Sequence, residues 1–280
     1  MNKLISTTVV FLLFSIALVP AGVSGGQHAD PDAVSIVERM QQHYEQSIEG
    51  VDNYVMVMQD HTMYYQKAHD ADGRPYFRSR LEADRMDGIY SAGEVSDFSL
   101  LSPEVFQSLK EQARYGGEEE HNGNIVHVLL MDELEGLIEE EEVSGALRDV
   151  RIYVDASNWV TRQLTFRADV AVEGGPAREV ESVTTFSDYR NIEGMMIPFE
   201  TVIVITGFSD MISDEQRKQA EEAMQQFESE LENMPAQQRE MVEQMMGDQI
   251  ERYREMLADD RMEIIQKVEE VKVNTGMDDF

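Results

Sequence analysis

The chain has no cysteine, a single tryptophan, seven prolines, and only 23 basic residues against 55 acidic ones in 280. Without a thiol there can be no disulfide staple, thiolate zinc or iron–sulfur site, cysteine nucleophile or lipidated N-terminal cysteine. A formal charge of −32 works against docking on DNA, RNA or anionic lipid headgroups, where Lys and Arg must displace counterions from phosphates. The hydrophobic fraction of 42% is nonetheless enough for an ordinary core, so the acidity belongs to the surface of a folded protein.

Part of that hydrophobicity lies at the start. Lys3 precedes an apolar stretch from Thr8 to Val19, and Pro20, Ala21, Gly22, Ser24 and Gly25 follow. The stretch is shorter than the ~20 residues that cross a bilayer, and small residues suit a cleavage site. Residues 1–25 are therefore expected to be a signal peptide, with residues 26–280 forming one exported domain that keeps no stable membrane span after cleavage. An exported chain without cysteine suggests a bacterial exported protein whose core is large enough to need no staples.

Asp30, Pro31 and Asp32 mark a helix start, because a carboxylate can cap, proline fits the first helical position and acid complements the helix dipole. Val37, Met40, Tyr44 and Ile48 form its stripe, and Gly50 ends it. Strand-like segments follow at Tyr54–Tyr65 and Tyr76–Leu81, with turns at Asp70–Gly73 and Asp87–Gly88. Ser102-Pro103-Glu104 signals a second helix, with Val105, Phe106 and Leu109 as its buried stripe and Gly116-Gly117 as its end.

Val150, Ile152 and Val154 alternate with polar residues, as do Leu164, Phe166, Ala168, Val170 and Val172, so each strand buries one face. Turns at Asp155–Asn158 and Glu173–Pro176 imply antiparallel meanders. Glu179–Tyr189 and Met195–Thr206 form a further pair, in which Pro198 requires an edge or a bulge. From Ser213 to Asp260 the composition shifts to Glu, Gln, Met and Arg. Ala220, Met224, Phe227 and Leu231, then Val242, Met245, Met246, Gln249, Tyr253 and Met256, give two helical seams joined at Pro235. A strand pattern returns over Glu263–Asn274, so a helical hairpin, 213–260, is inserted between two strands.

Motifs that carry chemistry are missing. His28, His43, His61, His69, His121 and His127 form no H-E-x-x-H pattern, no serine lies in a nucleophile elbow, and the glycines make no phosphate loop. The run Glu139–Glu142 lacks the Asp/Asn alternation and glycine of a calcium loop and reads as a solvated charge run. No catalytic residue, metal or cofactor is expected.

The N-terminal helix leading into a strand, the segment Thr185-Phe186-Ser187-Asp188-Tyr189-Arg190-Asn191-Ile192-Glu193-Gly194-Met195-Met196-Ile197-Pro198-Phe199, and the ending Val268–Phe280 resemble bacterial outer-membrane lipoprotein-sorting proteins. Those belong to the periplasmic lipoprotein carrier (LolA/LolB-like) superfamily. The resemblance implies an α+β fold, an incomplete curved antiparallel β-barrel covered by helices. It also implies an apolar interior for lipid or lipoprotein acyl chains and, as further partners, envelope donor and acceptor proteins. The carrier's basic latch residue has no counterpart in Tyr54–His61, and the hairpin exceeds what a minimal carrier needs.

Methionine is unbranched and polarizable and repacks around variable acyl chains. Met56, Met58, Met63, Met195, Met196 and Met245, with Leu164, Phe166 and Phe227, are accordingly the expected ligand wall. The alternative from another class is a periplasmic sensor or interaction module, its acidic hairpin docking a basic partner.

Overall fold

The computed structural model describes residues 30–58, 61–82, 101–134, 147–170, 178–207, 218, 231 and 261–275. The described elements are α1 (Pro31–Ser47), β1 (Asn53–Met58), β2 (Thr62–His69), β3 (Pro75–Glu82), α2 (Pro103–Gln112), β4 (Arg114–His121), β5 (Asn124–Leu134), β6 (Leu147–Asp155), β7 (Thr161–Val170), β8 (Arg178–Ile192), β9 (Met195–Thr206) and β10 (Arg261–Val273). The ten strands form one open antiparallel sheet in the order β3-β2-β1-β10-β9-β8-β7-β6-β5-β4. After β3, at one edge, the chain crosses through α2 to β4 at the other edge and meanders back to β9. β10 then fills the place between β9 and β1.

Local chemistry sets the element ends. Asp30 Oδ1 accepts the Asp32 N–H at 3.0 Å, and Pro31 occupies the first turn of α1. Ser102 caps α2 by accepting the Val105 N–H at 3.3 Å. Glu193-Gly194 and Asn122-Gly123 close two-residue hairpins, all four residues having positive φ, the geometry that matches strand twist. The Asp70–Gly73 turn is held by Asp70 Oδ1, which accepts from the amides of Asp72 (2.9 Å) and Arg74 (2.8 Å).

Two expectations from the sequence are corrected. Tyr54–Tyr65 is a hairpin of β1 and β2, with Val57 opposite Thr62 and the Met58 N–H donating to the His61 carbonyl at 2.9 Å. It lacks the glycine or proline that would announce a turn. Gly116-Gly117 does not end α2, which stops at Gln112; the pair lies within β4, where the register slips between Tyr115 and Gly117. A Cβ on Gly116 would come within 3.0 Å of the Leu130 side chain, and Gly117 has φ +106. The glycines are there for a β-bulge.

α1 bridges the two edges of the sheet. Asp30 Oδ2 accepts the N–H of Tyr115 on β4 at 3.0 Å, and the Tyr44 hydroxyl accepts the N–H of Phe77 on β3 at 3.2 Å. A flat ten-stranded sheet would hold its edges roughly 43 Å apart at about 4.8 Å per spacing, whereas the helix rises only about 21 Å between the two anchors. The sheet therefore curls toward α1, and both edges that could template aggregation donate an amide to it.

The main core lies between this curled face and the two helices. Ile36, Val37 and Met40 of α1 and Val105, Phe106 and Leu109 of α2 pack on Leu129, Ile152, Leu164, Phe166, Ile203 and Ile205. Pro198 sits beyond the last β9–β10 pair, Glu200 with Lys267, so among the described residues β9 is paired there only with β8.

The expected signal peptide, the turns at Asp87–Gly88 and Glu173–Pro176, the run Glu139–Glu142 and His28 lie outside the described residues. So does the hairpin 213–260 apart from Lys218 and Leu231, both helical. Among the described residues, no helix is long and apolar enough to cross a membrane.

Candidate functional site

The odd-numbered residues of β9 share one face, and along it the apolar interior divides in two. Ile203 and Ile205 belong to the core beneath α1 and α2, whereas Met195, Ile197 and Phe199 belong to a second cluster. Buried with them are Ile48 and Val51, at the exit of α1, and Met56 and Phe77 from β1 and β3. Tyr44 packs against both clusters.

The clusters differ in how well they are sealed. In the second, Tyr54, Met58, Met63, Tyr65, Val268, Val271 and Val273 are only half-buried. Their arrangement follows from strand pairing. Tyr54, Met56 and Met58 alternate on β1, Met56 faces Met63 and Tyr54 faces Tyr65 on β2, and Met56 faces Val271 on β10. The Tyr54 and Tyr65 rings stack at 4.3 Å, and Phe77 meets Tyr54 edge-on at 4.8 Å. A rigid aromatic strip thus flanks a flexible thioether strip. At the body side, the Arg190 guanidinium lies 4.0 Å above Phe199 and is held by Asp188 at 2.6 Å.

Four of the nine expected wall residues meet here: Met56, Met58, Met63 and Met195. Leu164 and Phe166 belong instead to the core covered by α1 and α2. Met196 points away from Met195 across the strand, with its sulfur 3.9 Å from Asn191 Nδ2. Phe227 and Met245 lie outside the described residues. The residues that sequence reading overlooked are Tyr54, Tyr65 and Phe77. Their signal was the period-two run Tyr54-Met56-Met58, masked because Val55 and Val57 make the other face apolar too.

Two groups of polar side chains elsewhere are engaged in structure. Asp155, with a side chain only 3% exposed, accepts from Arg162 Nε and Nη2 at 2.9 and 2.7 Å and from the amides of Ser157 and Asn158 at 2.8 and 3.0 Å. Burial pushes its carboxyl up, but the Arg162 and amide hydrogen bonds outweigh this and hold it below the usual carboxylate range. Arg162 also lies 4.9 Å over the Tyr189 ring. Tyr189 donates to the Thr161 carbonyl, and burial raises its phenol well above the ordinary value.

His127 stacks on Trp159 at 5.5 Å, with its Nδ1 3.3 Å from the Tyr115 hydroxyl and 3.4 Å from Glu118. Arg39 covers Trp159 at 5.2 Å. This stack joins α1, β4, β5 and the β6–β7 turn. Among the described residues, no group of three His, Asp or Glu side chains is placed to hold a metal ion.

No family model, curated protein or solved structure matches the chain. The carrier resemblance thus rests on the residues quoted for it.

Proposed function

We propose that this is an exported, non-catalytic binding protein that holds lipid or lipoprotein acyl chains against the Met56–Met58–Met63–Met195 wall. The observation that carries this reading is the incomplete sealing of that wall. α1 and α2 cover the main core, yet Met58, Met63, Tyr54 and Tyr65 on the wing formed by β1–β3 stay half-buried beside the buried Met56 and Met195. Half-exposed apolar surface costs roughly 25 cal/mol per Å2 relative to burial, which an acyl chain laid along it would recover. Thioethers let one wall fit tails of different length and unsaturation.

In this proposal residues 1–25 are the export signal, the periplasm is the compartment, and the LolA/LolB-like barrel, with 213–260 as an inserted helical hairpin, is the scaffold. Titration of purified protein with an environment-sensitive apolar fluorophore, competed by a fatty acid, tests it. Saturable, displaceable fluorescence is the expected result, and a folded sample that binds no probe and carries no lipid in native mass spectrometry overturns it.

The charge of −32 favours one further reading, an interaction module for a basic protein. Its signature would be an association that weakens steeply with salt.

A further inference from the structure

β10 changes neighbours halfway along. Arg261–Lys267 pair with β9, and Val268–Val273 pair with β1, with no overlap between the two runs. Glu269 is skipped at the changeover, since Val57 faces Glu270 while Met58 faces Val268. Such a bulge bends and twists its strand. Beyond it, Met195–Phe199 of β9 and Val268–Val273 of β10 each turn toward the other a side without a strand partner among the described residues. Strands that ran on side by side would pair, so the sheet splits at this point. The split is lined by Met195, Ile197 and Phe199 on one side and by Val268, Val271 and Val273 on the other.

Within the sheet, among the described residues, the wing β1–β3 is therefore joined to the body β4–β9 through a single bent strand, and Met56 and Phe77 of the wing also pack with Met195, Ile197 and Phe199 of β9. Its far edge is tied back by the bond from the Phe77 N–H to the Tyr44 hydroxyl, 3.2 Å. The wing's root is anchored separately. Lys67 donates its amide to the Asp52 carbonyl at 2.8 Å and its ammonium to the Glu49 carbonyl at 3.1 Å, while Asn274 Nδ2 donates to the Gly50 carbonyl at 3.1 Å. The β1 side of the wing is thus pinned beside α1, and the β3 edge, where Phe77 faces Lys67 of β2, is clasped by the Tyr44 side chain.

We infer that the wing swings about the β10 changeover at Lys267–Glu269, that the Tyr44–Phe77 hydrogen bond is its clasp, and that an acyl chain reaches the methionine wall through the β9–β10 split. This access route rests on the lipid-binding reading; the swing itself does not. Hinges of this kind absorb backbone change at a few residues while the packed units move as bodies.

Hydrogen exchange and stopped-flow loading of the apolar fluorophore, on the full chain and on Tyr44→Phe, test it. The variant keeps the ring in both clusters and removes only the hydroxyl. Amides of β1–β3 are expected to exchange faster than those of β5–β8 in the parent, and about tenfold faster again in Tyr44→Phe, with β5–β8 unchanged. Probe loading and release should both accelerate, leaving the dissociation constant nearly constant. Thr185→Val, which removes a hydroxyl contact to Gln163 within the body, should change neither rate. Wing and body amides that exchange together, unaffected by Tyr44→Phe, overturn the hinge. Faster wing exchange with unaltered probe loading overturns the access route and leaves the binding reading standing. Absence of probe binding in every variant removes the binding reading, and the route with it.

Discussion

Asp30 and Tyr115 are 85 residues apart, yet the Asp30 carboxylate accepts the Tyr115 backbone N–H at 3.0 Å. One side chain thereby caps α1 with one oxygen and satisfies the edge strand β4 with the other. Local helix start and global sheet closure share a residue, so the capping signal legible in Asp30-Pro31-Asp32 also fixes where the far edge of the sheet docks.

That carboxylate should make closure pH-dependent. The Tyr115 amide, followed by the Asp32 amide, holds the Asp30 carboxyl below its ordinary value of 3.8. A depressed folded-state value gives stability that is complete above 3.8 and lost as pH falls through the folded value. Asp30→Asn, which keeps one accepting oxygen but turns an NH2 donor toward the other backbone amide, should melt below the parent at pH 7 and lose less stability between pH 5 and 2. Asp30→Ala should melt lower at pH 7, with the gap narrowing in acid. Thermal melts across that pH range are the check.

Gly207 and Gly73 separate backbone strain from crowding. Both have positive φ, +85 and +80, but a Cβ on Gly207 would sit 2.6 Å from the Glu179 carbonyl oxygen while one on Gly73 meets nothing within 4 Å. Gly73→Ala should cost about 1 kcal/mol for the left-handed backbone alone. Gly207→Ala should cost at least about 2–3 kcal/mol, since a backbone atom cannot step aside. Urea titrations of the two variants compare them directly.

The buried Asp155–Arg162 pair should behave oppositely to the exposed ion pairs. Asp155→Ala strands a guanidinium whose side chain is only 17% exposed and leaves two turn amides without their acceptor. The expected loss is roughly 3–5 kcal/mol. Arg148→Ala, which breaks a pair with Glu179 whose side chains are 41% and 54% exposed, should cost less than about 1 kcal/mol by comparison. Equal losses in chemical denaturation would show that Asp155 does not organise the β6–β7 turn.

Much of the fold was legible in sequence because its cues are local. Ser102-Pro103-Glu104 specifies a cap, Val150–Val154 a half-buried strand, and Glu193-Gly194 a tight hairpin. The failures share one cause, which is that the deciding contact is distant. Gly116 reads as a helix stop until Leu130 of β5 shows why no Cβ fits. The break inside Tyr54–Tyr65 carries no glycine because the β1–β10 and β2–β3 pairings fix it from outside. For the candidate wall, methionine content picked out Met56, Met58, Met63 and Met195, which share one cluster, but it could not separate Leu164 and Phe166, since burial under α1 and α2 is a tertiary fact. Nor could it promote Tyr54 and Tyr65, whose importance comes from stacking across strands.

Replacing residues 208–260 with a short Gly/Ser turn should leave the sheet intact. Thr206 pairs with Arg261, so the segment leaves and re-joins the sheet at directly opposed residues that a hairpin turn can link. Shortening a loop lowers closure entropy, so any destabilisation would come from lost contacts. Far-UV circular dichroism should lose helix signal and keep strand signal, with a cooperative melt. Loss of cooperativity would place the segment in the main core.

The last prediction sets the two apolar clusters against each other. Met58 and Met63 are half-buried on the wing, so Met58→Gln and Met63→Gln keep length and flexibility, leave the new amides access to water, and should cost under about 1 kcal/mol of stability. Each should weaken acyl-probe binding by about tenfold, because a polar group then sits where the chain would lie, at a desolvation cost of roughly 1–3 kcal/mol. Leu164→Ala empties space in a cluster already covered by helices and should cost about 2–5 kcal/mol, while probe affinity, measured below the transition temperature, stays within about twofold because no wall atom is lost. If Leu164→Ala abolishes binding and the glutamine variants do not, the ligand lies beneath α1 and α2 and the methionine wall is only packing.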